Sequence, residues 1–287
     1  MAIQNFIPTI WSETLYQEMD RHHIGVAHCN RDFEGDIREK GNVVKICGLE
    51  NVDVYDYQKN TDMNTPDTLK DFSTDLVIDH AKYFNFQIDD IDRVQASPQL
   101  MKLAMANAAK ALANTADYAI MNMDTTNIPT LKMNVYDPTV ESIFQNILYA
   151  REKLSAYSLP SNDELYLEVS PYIASLILRA QICTSSDNNH LIETGSIGNI
   201  LGCKVYVSKN ISLTKAENVD YDVHRCFLRT KRAVTFAEQL SEIQAYRPER
   251  RFADAIKGLY LFGFKVVYPN EFLELNFTVD TAMYPLI

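Results

Sequence analysis

GSIGNILGCKVYVS, residues 195–208, is the stretch on which the reading of this chain turns. Its first eight residues hold three of the chain's nine glycines. They form either a loop that cradles a phosphate or a bend before a strand. A dinucleotide loop follows a strand and opens a helix, so that the anion meets the helix N-terminus. Here the preceding residues, CTSSDNNHLIET, are loop-like, and the glycines lead straight into the β-type run CKVYVS. The spacing misses GxGxxG, and no GK[ST] occurs, which excludes a P-loop. Glycine takes positive φ at a tight bend without steric cost. The stretch reads as a bend.

Around it lie 287 residues, enough for one large or two modest domains with a substantial core. Hydrophobic content of 46% and charged content of 23% are globular values. A net charge of −11 argues against a protein built mainly to grip nucleic acid, which needs a basic face. Five scattered cysteines without a CxxC point to a reducing cytoplasm and no disulfide framework. The opening MAIQNFIPTIWSETLYQEMD lacks the basic and uninterrupted apolar regions of a signal peptide, and no window approaches a membrane span. A soluble chain with no membrane partner is expected.

The first 30 residues are apolar for a terminus: Ile3, Phe6, Ile7, Ile10, Trp11, Leu15, Tyr16 and Met19. Such a segment packs on its own domain or docks on a neighbouring subunit. Residues 41–57 give two β-rich runs, Val43–Cys47 and Val52–Tyr57, around a turn at Gly48. After a polar tip, Leu76, Ile78, His80, Lys82, Phe84, Phe86 and Ile88 alternate on one face. This predicts a long hairpin-like excursion, which cannot bury both faces alone.

Three helices are signalled by a cap residue before proline: Ser97-Pro98, Asp137-Pro138 and Ser170-Pro171. The first opens a run without Gly or Pro over about 25 residues, hence about 38 Å of helix. ELYLEV reads as a strand, and from residue 203 the chain is mostly β-type. Helices and strands mix without a βαβ rhythm, so the fold class is α+β.

Chemistry-bearing patterns are sparse. His22, His23, His28 and Cys29 cluster, yet lack the paired ligand spacing of a zinc site and read as ordinary arm or surface residues. GxSxG and HExxH are both missing from the sequence. No catalytic residue, cofactor or metal is expected. From Arg225 to Arg251, seven basic residues (Arg225, Arg229, Lys231, Arg232, Arg247, Arg250, Arg251) face three acidic ones, reversing the local charge. That stretch is a solvated face or a surface complementary to acidic regions of identical subunits.

Several blocks resemble a known family: FIPTIWSETL, NRDFEGDIREKGNVVKI, KYFNFQIDDID, GSIGNILGCKVYVSKN and KRAVTFAEQLSEIQAYRPERRFADAIKGLYLFGFKVVYP. The chain is similar, over nearly its whole length, to the major capsid protein of tailed double-stranded DNA bacteriophages, the Hong Kong 97-type coat fold. That resemblance implies an N-terminal arm at 1–31, an extended loop and its base at 32–90, and a peripheral domain with a long spine helix at 91–135. It further implies an axial domain at 136–225 and, at 226–287, return strands of the peripheral domain plus a last axial strand. It implies self-assembly as hexamers and pentamers into an icosahedral shell around packaged DNA, held without sequence specificity. A separate scaffolding protein, a portal and head-completion proteins are the other implied partners, because the chain has room for neither an inserted domain nor a scaffolding segment. Virion localisation and assembly in the host cytoplasm follow. Candidate inter-subunit contacts are Phe6, Ile10, Trp11, Lys59, Arg247, Arg250 and Arg251. One relative joins subunits by a Lys–Asn isopeptide bond; Lys59 has no assignable Asn and Glu partners for that role. The alternatives are the shell of a bacterial nanocompartment and, outside the fold, a soluble nucleotide-dependent enzyme.

Overall fold

A computed structural model of the chain describes residues 15, 17–32, 43–49, 55–56, 59, 62, 71–89, 99–156, 164–184, 197–211, 213–215, 221–249 and 253–280. The longest helix, α1 (Gln99–Met121), runs for 23 residues. Its buried stripe, Met105, Ala109, Leu112, Ala113, Ala116 and Ile120, recurs at three- and four-residue intervals. The alanines favour the helix and let it approach its neighbours closely. The stripe packs on an antiparallel sheet in the order β10 (Val234–Tyr246), β11 (Ala253–Val266) and β3 (His80–Asp89). Phe236, Tyr260 and Phe262 supply the sheet's contribution to this first core.

The opposite face of the same sheet is partly covered by a two-stranded ribbon of β1 (Val43–Leu49) and β2 (Asp71–Val77). Val44, Ile46, Leu76 and Ile78 pack there on Ala237 and Leu261. Gly263 makes that approach possible, since a Cβ there would collide with the Val77 carbonyl oxygen.

The second core lies in a seven-stranded mixed sheet. Its order is β4 (Leu131–Tyr136), β12 (Phe272–Asp280), β9 (Tyr221–Thr230), β5 (Leu165–Val169), β7 (Cys203–Val207) and β6 (Asn199–Ile200), with β8 (Leu213–Lys215) on β9. Helices α2 (Ile143–Ser155) and α3 (Pro171–Thr184) cover it with Ile147, Leu154, Ile173 and Ile177. At α3 the cap-then-proline signal is realised: Ser170 Oγ accepts the Ile173 N–H at 3.4 Å, and Pro171 opens the helix.

Several expectations are corrected. Gly48 marks no turn; it lies inside β1, opposite Phe72. Tyr55 and Asp56 lie outside any strand, and the rest of Val52–Tyr57 falls outside the described residues. The alternation over 76–88 is divided between two strands and two surfaces. Leu76 and Ile78 face the ribbon's cluster, while Phe84 and Phe86 face α1 from the sheet. Lys82 is exposed. α2 opens five residues after Pro138, because Asp137 still pairs with β12 through its N–H to the Thr278 carbonyl at 2.8 Å. The residue before a proline is disfavoured in right-handed helical conformation, and Asp137 has φ 45°. Ser97-Pro98 lies outside the described residues. Finally, Leu15, Met19, Val26 and Cys29 are fully buried in the first core, so this part of the N-terminal segment serves its own subunit.

Candidate functional site

The glycine stretch resolves into a hairpin. Ile200 pairs with Cys203, leaving Leu201 and Gly202 as a two-residue turn. Both have positive φ, 50° and 78°, as a primed hairpin turn requires. Gly198 precedes it at φ 64°. Strand β7 follows, so no helix N-terminus is presented to an anion. The hairpin is fixed from outside by Arg151, whose guanidinium donates to the Leu201 carbonyl.

The densest chemistry lies between the two cores, where residues 23–31 pass. Asp117 of α1, 1% exposed, accepts the backbone N–H groups of Ile24, Gly25 and Val26 at 2.8, 3.0 and 3.0 Å. From the other side Arg229 of β9, fully buried, donates to the carbonyls of His28 (2.6 Å) and Gly25 (2.9 Å). Its remaining donors form a two-pronged pair with buried Glu168 of β5, at 2.6 and 3.2 Å. Burial works against the charge on Arg229, but Glu168 outweighs it and holds the guanidinium protonated.

His23 sits in the same junction. Nδ1 lies 3.8 Å from Asp117 and Nε2 lies 3.6 Å from Glu238 of β10. Burial opposes its charge, yet the two carboxylates prevail and raise its pKa to about 9. Glu238 also receives Arg31 at 2.6 Å and the Tyr260 hydroxyl, and Arg31 reaches Asp20 at 2.8 Å. Asp20, His23 and Glu238 come within 4.8 Å of one another, close enough for a metal's ligands. Arg31 already bridges the two carboxylates, so the cluster is neutralised from within. His28 stacks on Tyr166 at 4.4 Å; burial first, then Arg229, lower its pKa to about 4. Thus His23, His28 and Cys29 are buried junction residues, which corrects the expectation of ordinary arm or surface positions.

The basic stretch is likewise corrected in part. Arg225 pairs with Glu274 at 3.2 Å, Arg229 with Glu168, and Arg232 with Glu271. These charges are spent inside the subunit. Lys231 is exposed, as is Arg247 just past β10. Among the proposed contacts, Lys59 is an exposed turn residue. Phe6, Ile10, Trp11, Arg250 and Arg251 fall outside the described residues. The Ser170–His224 pair, 2.9 Å apart, is buried, and its hydroxyl is engaged at the α3 cap. Sequence reasoning missed Asp117, Glu168 and Glu238, although a carboxylate inside ELYLEV was a visible signal for Glu168.

On the outside, large apolar side chains stand in the open: Tyr83 is 78% exposed, Tyr136 73% and Tyr149 67%. Tyr83 and Leu259 are direct cross-strand partners on the sheet face away from α1.

No family model and no curated protein matches the chain. Solved structures do. A structure from Mycobacterium phage Che8 is 28% identical with a TM-score of 0.69, covering 88% of this chain and 90% of that one. The capsid structure of the Cyanophage P-SCSP1u matches at 15% identity and TM-score 0.63, covering 88% and 86%. A virus-like particle from Pyrococcus furiosus matches at 12% identity and TM-score 0.58, covering 96% and 100%. The chain has the Hong Kong 97-type coat fold. Within that fold α1 is the long helix beside a three-stranded sheet, β1–β2 the ribbon that leaves it, and the seven-stranded layer the second body. No described helix is long and apolar enough to cross a membrane.

Proposed function

We propose that this chain is the major capsid protein of a tailed bacteriophage, a structural protein that assembles with copies of itself into a closed shell. The carrying observation is the match to the Che8 structure along 88% of the chain at 28% identity, together with capsid neighbours of lower identity. The nanocompartment alternative is less favoured, because the neighbour at 28% identity is a phage structure, and phage capsids recur among the matches of lower identity.

The mechanism is geometric. Each subunit offers the exposed ribbon, the bare part of the three-stranded sheet and the seven-stranded layer to its neighbours. Modest contacts repeated around a shell add through multivalency. In this reading residues 1–31 are the arm, 32–90 the extended loop and its base, 91–135 the peripheral domain with α1, and 136–225 the axial domain. Residues 226–287 return to the peripheral domain and end in β12 of the axial sheet. Phe6, Ile10, Trp11, Lys59, Arg247, Arg250 and Arg251 remain its candidate contacts between subunits. Hexamers and pentamers tile the shell; a scaffolding protein, a portal and head-completion proteins complete it, and double-stranded DNA fills it without sequence readout. The acidic chain, at −11, suits DNA that is confined and not gripped. The protein acts without enzymatic chemistry or cofactor, in the virion, after assembly in the host cytoplasm.

The contents of purified particles test this reading against its alternative. Particles isolated from infected cells are expected to hold nuclease-protected double-stranded DNA. Protein cargo in place of a genome, identified by mass spectrometry, would move the chain to the nanocompartment class.

A further inference from the structure

The junction around His23 concentrates charge between two apolar bodies, while Val26 and Cys29 of the same segment belong to the first core and Asn30 pairs with β10 through the Val234 carbonyl and the Phe236 N–H, both at 2.9 Å. Residues 23–31 are held by Asp117 from α1, by Glu238 from β10 with Tyr260 of β11 behind it, and by Arg229 from β9 with Glu168 of β5. Their own element adds Arg31 and Asp20. Both ring nitrogens of His23 are buried here without a hydrogen-bond partner, as is Nε2 of His28. Those of His23 face carboxylate oxygens at 3.6 and 3.8 Å, so the ring contributes through its charge alone.

We propose that residues 23–31 are an electrostatic clasp, a locally openable segment that ties the root of the N-terminal arm to α1 and β10 through His23 and, on release, withdraws Val26 and Cys29 from the first core while the rest of both apolar cores stays folded. The direction follows from linkage. The folded pKa of His23, about 9, lies above its ordinary 6.5. Its contribution is therefore complete below about 6.5 and is lost as pH rises through about 9. Deprotonation leaves Asp117 and Glu238 buried with Arg31 as the nearby cation on Glu238 and only backbone donors on Asp117, which favours opening. That the released segment is an assembly element rests on the shell reading. The opening itself does not, because it is a property of the single subunit.

Cys29 reports on the clasp. Its thiol is fully buried, within 3.3 Å of the Gly25 carbonyl and 3.6 Å of Arg229. Cys203 and Cys226, also fully buried, lie in the second core and serve as internal controls. The full-length soluble subunit is alkylated with iodoacetamide at a series of pH values from 6 to 10. Each cysteine's rate is read by peptide mass spectrometry and divided by that of a free-thiol peptide at the same pH. The normalised Cys29 rate is expected to rise roughly a hundredfold across the window and then level, with Cys203 and Cys226 unchanged. His23→Gln is expected to label fast at pH 6.5 already, with a flat profile. A flat wild-type profile overturns the proposal. So does a joint rise of all three cysteines, which would mean the cores open with the segment; this wild-type comparison decides even if the variant fails to fold.

Discussion

Arg229 and Glu168 carry opposite charges at full burial, and each is the other's compensation. Removing one partner strands the other in a low-dielectric interior. Arg229→Met is therefore expected to lower unfolding stability by about 3–5 kcal/mol, with much of the loss recovered by adding Glu168→Gln. Urea unfolding of the two variants checks this; an Arg229→Met cost within the ~0.5 kcal/mol of a surface change would contradict it. The subunit's stability should also fall between pH 6.5 and about 9, on the order of 3 kcal/mol, as His23 loses its proton. At this scale legibility was uneven. The glycines announced positive φ, and Gly198 and Gly202 have it. Arg229 stands in CFLRT, which reads locally as a strand end facing water. Its partner lies 61 residues earlier in the chain, and no local pattern links the two.

Elements were more legible than their pairing. A run of good helix formers without Gly or Pro gave α1 within a few residues, because propensity and an unbroken apolar stripe agree there. The strand content of residues 43–47 was visible as a β-rich run and that of 76–88 as alternation, whereas the first part of β2 was hidden in the polar tip. The division of that alternation was hidden, since strands facing different clusters show the same period of two. The ribbon is the element with least support of its own: it has two strands, with Val43 and Val77 exposed at 48% and 46% on its far side. A two-stranded unit is marginal without a surface to lie on. In the free subunit its amides are expected to exchange faster than those of β10 and β11, and to slow markedly after assembly. Gly263→Ala, which pushes a methyl into Val77, is expected to speed ribbon exchange while leaving α1 unaffected. Equal ribbon protection before and after assembly would show that a neighbour contributes nothing to it.

At the scale of the whole molecule, two apolar bodies share one chain that crosses between them repeatedly, and β12 closes the second body from the far end of the sequence. The order of strands in that sheet cannot be read from periodicity; the resemblance to phage coat proteins supplied the expectation of a late return. Between the bodies run the charges of the junction, and outside them stand the exposed Tyr83, Tyr136 and Tyr149. Such a subunit is proposed to close into shells. Negative-stain electron microscopy of the purified full-length chain, concentrated under assembly conditions, tests it most directly. Uniform closed particles built of ring-shaped clusters are the predicted result. A chain that remains a 32.8 kDa monomer or small oligomer under every assembly condition would contradict it.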